Sequence, residues 1–105
     1  MEIECRFFGP FREAAGEKEV ALSVDSGRAD GDGDGIFADT YRELLAALES
    51  RYPDLDGRLL DEAGTDLAGR TVVTRNKTDL RHLDGLDTPV EDGDVVRLIP
   101  SVYGG

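Results

Sequence analysis

The chain has 105 residues, enough for one domain that buries roughly two thirds of its unfolded surface. It has no run near the ~20 apolar residues of a membrane span and no basic-then-apolar leader after the acidic start Met1-Glu2-Ile3-Glu4, so a cytoplasmic protein without a membrane partner is expected. Twenty-three acids against twelve bases give a net charge of −11, a field that repels phosphate backbones and argues against nucleic acid as a partner.

The acids run along the whole chain, and only two of the bases are lysines, Lys18 and Lys77. That spread fits adaptation to high salt, where the Debye length falls to ~3 Å at 1 M, better than a single acidic docking face. The one cysteine, Cys5, supports no internal disulfide and no four-cysteine metal or cluster site within one chain.

In chain order, Ile3, Cys5 and Phe7 alternate and predict a strand over 2–8, with Cys5 a small buried residue. Gly9-Pro10 breaks it. Phe11 to Gly16 reads as one short helical turn closed by Gly16. Val20, Leu22 and Val24 alternate and predict a second strand over 18–24, antiparallel to the first. Asp25 to Gly35 holds four glycines and almost nothing apolar, and reads as an acidic loop insertion.

Thr40 and Glu43 have capping-box spacing. Tyr41, Leu44, Leu45, Leu48 and Tyr52 then recur at helical spacing and predict one apolar face against a sheet, ended by Pro53. Arg42, Glu43, Glu49 and Arg51 fall elsewhere and are expected in solvent. Leu55, Leu59 and Leu60 suggest a short helical turn leading to an edge segment.

Thr71 to Thr74 is a β-branched strand. Arg75-Asn76-Lys77-Thr78 can turn, because Asn tolerates a left-handed backbone. Asp79 to Leu83 is a short strand or its flank, and turn chemistry follows through Asp94. Val95 to Ile99 is the last strand; its near-continuous apolarity predicts a central position buried on both faces. Pro100 is expected to stop it. Two strands, a helix and several further strands describe an α+β fold of β-grasp type: a mixed sheet against one main helix, spanning 1–100, with a flexible tail at 101–105.

Candidate sites are few. Asp30, Asp32 and Asp34 with Gly35 match the opening of a calcium-binding EF-hand loop, but the twelfth place, which needs a bidentate Glu, is Tyr41. A solvated acidic loop is the simpler reading, and no metal site is expected. His82 is the only histidine, has no second imidazole or thiolate at ligand spacing, and is expected on the surface. No serine sits in a nucleophile elbow, and the Rossmann and phosphate-loop patterns are absent. Nothing resembles an enzyme's own active site, and no bound cofactor is expected.

That leaves Ser101-Val102-Tyr103-Gly104-Gly105. Five residues past Pro100 reach roughly 17 Å when extended. Gly104 and Gly105 have no side chain and can thread a channel that a Cβ would block, which exposes the Gly105 carboxylate to a partner enzyme. A frayed, inert terminus is the other reading of the same composition.

The sequence resembles the ubiquitin-like sulfur-carrier family, which includes the small subunit of molybdopterin synthase, the thiamine sulfur carrier and the archaeal small modifier proteins. The matching pieces are Phe7-Phe8 with Phe11 to Gly16, Leu44 to Leu48 through Arg51-Tyr52-Pro53, His82 to Pro89, Glu91 to Asp94, and Pro100 to Gly105. Together they span nearly the whole chain, and its acidity with few lysines is similar to that of proteins from salt-loving archaea.

The resemblance implies a modifier and carrier that is not itself an enzyme. A ubiquitin-activating-like enzyme would adenylate Gly105, preceded by Gly104, with ATP. The product would pass to target lysines as an isopeptide or become a thiocarboxylate sulfur donor. The alternative is a dedicated small subunit of molybdopterin synthase in molybdenum cofactor biosynthesis, with the large subunit as partner. Leu83, Leu86, Val102 and Tyr103 are the candidate docking residues. Lys18 and Lys77 are the candidate acceptors for a copy of the chain itself. The acidic insertion at 25–35 has no counterpart in compact family members. A calcium-tuned binding module and a plain interaction domain with an inert tail remain the competing readings.

Overall fold

A computed structural model of the chain describes residues 1–25, 36–68 and 71–100. Six strands form one mixed sheet: β1 (Glu2–Phe7), β2 (Glu19–Asp25), β3 (Ile36–Phe37), β4 (Thr71–Arg75), β5 (Thr78–Asp79) and β6 (Val95–Pro100), in the order β3-β2-β1-β6-β4-β5. The helices are α1 (Pro10–Ala15) and α2 (Tyr41–Arg51), and 3₁₀ turns occupy Pro53–Leu55, Leu80–His82 and Gly85–Asp87. β1 runs antiparallel to β2 and parallel to β6, so the first and last strands lie side by side in the middle of the sheet. This is the β-grasp arrangement that the element order predicts.

Period-two burial builds the sheet's inner face. Ile3, Cys5 and Phe7 of β1, Leu22 and Val24 of β2, and Val96 and Leu98 of β6 are all buried. α2 lies on that face through Tyr41, Leu44, Leu45 and Leu48, each with no exposed surface. The predicted stripe is therefore core, worth about 1.5–3 kcal/mol per buried leucine. Tyr52 completes it half-buried, its ring edge-on to Phe7 at a centroid distance of 5.5 Å.

The ends of the elements follow local chemistry. Pro10 opens α1, and Gly16 closes it at φ 77°, donating its N–H to the Arg12 carbonyl at 2.9 Å; a side chain would be strained at that φ. Thr40 is the N-cap of α2. The Glu43 carboxylate reaches back to the N–H groups of Asp39 at 2.7 Å and Thr40 at 3.4 Å. Asn76 and Lys77 both take positive φ, 51° and 76°, which gives the β4–β5 hairpin a turn whose twist matches its strands.

Four sequence expectations change. β6 is central, but its burial alternates: Val96 and Leu98 are buried, whereas Val95, Arg97 and Ile99 are only half-buried, because both helices send their buried side chains into the core on the other face. Pro100 does not stop the strand one residue early. It is the strand's last residue, buried and opposite Thr71, a strand end being a place where a missing N–H is tolerated. Of 79–83 only Asp79 is strand. Its carboxylate accepts from the Arg81 N–H at 2.9 Å and starts a 3₁₀ turn instead. Glu49, expected in solvent, accepts from the N–H groups of Gly57, Leu59 and Leu60 at 3.1, 3.0 and 3.0 Å. It thereby shapes the segment that buries Leu55, Leu59 and Leu60.

The deepest polar contact sits where β6 begins. Asp94 is 2% exposed. Its Oδ2 accepts from the Tyr41 hydroxyl and the Glu91 N–H, both at 2.9 Å. Its Oδ1 accepts from Arg75 Nε and Asn76 Nδ2, both at 3.2 Å. Its backbone carbonyl takes the Glu4 N–H at 3.0 Å. One carboxylate thus joins α2, the β4–β5 turn and the start of β6.

Asp94→Ala leaves Arg75 Nε and the Tyr41 hydroxyl without their acceptor, Arg75 keeping only its Nη2 bond to Glu91, and is expected to lower unfolding free energy by about 3 kcal/mol, measured by denaturant titration. Glu49→Ala is expected to cost about 2 kcal/mol and to strip hydrogen-exchange protection from Gly57, Leu59 and Leu60 while leaving β1 and β6 protected.

Candidate functional site

β6 connects the Asp94 network to residues 101–105 of the chain. Val102, Tyr103, Gly104 and Gly105 lie outside the described residues, as do residues 26–35 of the acidic insertion, including the EF-hand-like acids. What the described residues present is the platform from which the tail leaves.

On that platform the expected docking pair separates. Leu83 is exposed at 38%, directly after the 3₁₀ turn that ends at His82. Leu86 is 6% exposed and packs in the core, so its side chain is not available to a partner. The reason is local: Gly85–Asp87 forms a 3₁₀ turn that points its one apolar residue inward. Lys18 and Lys77 are both exposed, at the start of β2 and in the β4–β5 turn. His82 is exposed as expected.

A second exposed apolar residue was not singled out from the sequence. Phe8 is 39% exposed, and its N–H donates to the Leu98 carbonyl at 3.2 Å, which holds it alongside the end of β6. It borders a shallow groove of about 170 Å³ lined also by Arg6, Gly9, Arg12, Lys18 and Glu19. The signal was legible: Phe8 follows the alternation of Ile3, Cys5 and Phe7 and falls on the opposite face.

Among the described residues no group of three or more His, Cys, Asp and Glu side chains is placed to hold a metal ion. Tyr41, the twelfth place of the EF-hand-like run, is buried with its hydroxyl donated to Asp94. Burial, and then the Asp94 hydrogen bond, hold that phenol well above its ordinary range. The Cys5 thiol has no exposed surface, and burial, with Glu4 adding to it, pushes its pKa up to about 12. A thiol so shielded stays protonated and unreactive near neutrality.

A mixed sheet grasping one main helix, with its central last strand running directly into the C-terminal segment, defines the ubiquitin-like class of small β-grasp proteins. The chain belongs to the ThiS family, whose sequence profile matches residues 37–105; this is the family anticipated from the sequence. Small archaeal modifier protein 3 of Haloferax volcanii is 36% identical over 105 residues, covering all of both chains. The sulfur carrier protein CysO of Mycobacterium tuberculosis is 35% identical over 68 residues, 64% of this chain and 73% of that protein. The solution structure of small archaeal modifier protein 1 from Methanosarcina acetivorans superposes with a TM-score of 0.76 at 28% identity, over 99% of this chain and 96% of the other.

The shielded thiol has a measurable consequence. Between its ordinary value of 9.0 and about 12, Cys5 ionises in the unfolded chain but not in the folded one. The native state then holds more protons, and stability falls as pH rises through that window. The slope is at most about 1.4 kcal/mol per pH unit from this group. Cys5→Ala is expected to flatten that part of the stability–pH curve. Native protein at pH 8 should resist a thiol-specific disulfide reagent that labels it fully in denaturant.

Proposed function

We propose that the chain is a ubiquitin-like modifier protein and sulfur carrier that works through the carboxylate of Gly105. The observation that carries this reading is the full-length relationship to small archaeal modifier protein 3, 36% identical over 105 residues, in a chain whose sequence ends on Gly104-Gly105.

The chemistry follows from the carboxylate. A carboxylate is a poor electrophile, so an activating enzyme must first convert it. A Gly105 oxygen attacks the α-phosphorus of ATP, pyrophosphate leaves, and an acyl adenylate forms. Hydrosulfide supplied by the enzyme system then displaces AMP and loses its proton, giving a thiocarboxylate. Alternatively, the neutral amine of a target lysine displaces AMP to give an isopeptide, losing a proton. Both fates use the same activated carbon. Two glycines keep it free of side-chain hindrance.

In this reading the β-grasp body is a handle. It contributes no catalytic group and binds no cofactor; ATP belongs to the activating enzyme. The ATP requirement places the work in the cytoplasm, and the −11 charge suits a salt-rich one. Leu83, exposed beside the 3₁₀ turn, and Val102 and Tyr103 of the tail are the proposed contacts. Lys18 and Lys77, both exposed, are the acceptors available when the target is another copy of the chain.

The test is deletion of Gly105 in cells that carry the activating enzyme. Intact-mass measurement of the wild-type chain should show exchange of one terminal oxygen for sulfur. Tagged wild-type chain should also form conjugates whose branch peptide begins after Arg97 in a tryptic digest. The deletion should abolish both. Conjugates and thiocarboxylate absent from wild-type cells, or undiminished in the deletion, would sink the proposal.

A further inference from the structure

The last strand ends beside a basic groove. β1 lies between β2 and β6. At its end the Phe8 N–H donates to the Leu98 carbonyl of β6 at 3.2 Å, and the Phe7 N–H donates to the Lys18 carbonyl on the other side at 3.0 Å. The groove of Phe8, Gly9, Arg12 and Lys18 therefore extends two strand spacings, ~10 Å, across from β6. A wider concavity continues it. Gly9, Arg12 and Lys18 line that one as well, joined by Glu13, Gly16 and Glu17.

The cations here stand out in a chain of net charge −11. Arg6, Arg12 and Lys18 line the groove against one acid, Glu19. Arg6 is engaged, since its guanidinium pairs with Glu4. Arg12 and Lys18 are exposed, and neither side chain has a hydrogen bond or ion pair among the described residues. Beside them Phe8 keeps 39% of its surface in water. Two unpaired cations next to an exposed ring suit an apolar segment that ends in a carboxylate.

We propose that this groove holds the chain's own last five residues, with Val102 and Tyr103 over Phe8 and the Gly105 carboxylate against Arg12 and Lys18. Pro100 ends β6, and five further residues reach roughly 17 Å, more than the ~10 Å to be crossed. The path runs over Gly9, which has no side chain to obstruct it. Tyr103 is the one aromatic among those five residues, and an offset or edge-on ring pair is favourable beyond the area it buries.

Charge favours the same occupant. The field of the chain repels a carboxylate over most of its surface, and Arg12 and Lys18 offer the opposite sign where the chain leaves the sheet. An exposed ion pair is weak by itself. The five-residue tether offsets that weakness, because it holds the carboxylate near the groove at an effective concentration on the order of millimolar.

The contact stands apart from the carrier reading, whereas its effect on reactivity rests on that reading. A docked carboxylate is withdrawn from activation until a partner draws it out. A thiocarboxylate keeps the negative charge and docks in the same way. An isopeptide has lost that charge and leaves the groove empty.

The experiment is solution NMR on the full labelled chain with no enzyme present. Wild-type chain should show NOEs between the Tyr103 and Phe8 rings, the same at every chain concentration. Arg12→Ser combined with Lys18→Ser changes only exposed positions; it should melt as wild type does and lose those NOEs. Tyr103→Ser, and a chain whose C-terminus is an amide, leave the body unaltered. Each should shift the Phe8, Arg12 and Lys18 signals toward one common undocked position.

Absence of the Tyr103–Phe8 NOEs overturns the proposal, as do groove signals that ignore the amide or NOEs that survive in the double variant. NOEs that grow with chain concentration overturn it too, since a second copy then supplies the tail. Failure of the carrier reading looks different: the ring contact is present, yet cells with the activating enzyme yield no thiocarboxylate and no conjugate.

Discussion

A single buried carboxylate sets the geometry of this protein. Asp94 accepts from the Tyr41 hydroxyl of α2, from Arg75 and Asn76 at the β4–β5 turn, and from the N–H of Glu91 in its own turn. Its carbonyl meets the Glu4 N–H of β1, and the following residue, Val95, donates its N–H to Asn76 Oδ1 at 2.8 Å. A buried charge is tolerable only when its acceptor sites are filled, so all these groups must arrive together. The start of β6 is thereby tied to the helix, to the neighbouring hairpin and to the first strand. Everything on β6, including the residues that lead into the tail, inherits that register.

The core completes what Asp94 begins. Tyr41 takes part in both, since its ring lies with the leucines of α2 while its hydroxyl reaches the carboxylate. α2 fills one face of the sheet and Glu49 anchors the irregular segment after it. On the opposite side the aliphatic residues of β6 are half-buried. A protein built this way has one packed core, a thiol shut away in Cys5, and its proposed chemistry at Gly105. In the proposed carrier reading the body would supply position and recognition, and the large apolar residues it exposes, among those described, are Leu83 and Phe8.

Much of this was legible in the residues because it depends on short-range periodicity. Alternation at Ile3, Cys5 and Phe7 and the helical spacing from Tyr41 to Leu48 each report burial directly, and both segments are buried as read. The left-handed turn at Asn76-Lys77 and the Gly16 helix stop follow from backbone preference. Val95 to Ile99 was misread as buried on both faces, because an apolar strand in a one-sided sheet has the same composition as one in a covered sheet. Leu86 was misread as a docking residue because a 3₁₀ turn has no periodicity that tells which way its side chain points. Glu49 was misread as solvated because its partners lie eight to eleven residues further on and belong to no regular element.

The sequence by itself determined the α+β class, the helix and the strands that face it. Each of these is set by local preference or by a repeat that one element carries alone. Only the tertiary structure decided that β1 and β6 are parallel neighbours, that Asp94 is the acid buried at their edge among the described residues, and that Arg97 Nη1 is buried there without a hydrogen-bond partner. These depend on contacts between residues tens of positions apart. No local pattern encodes whether a given charge meets a partner.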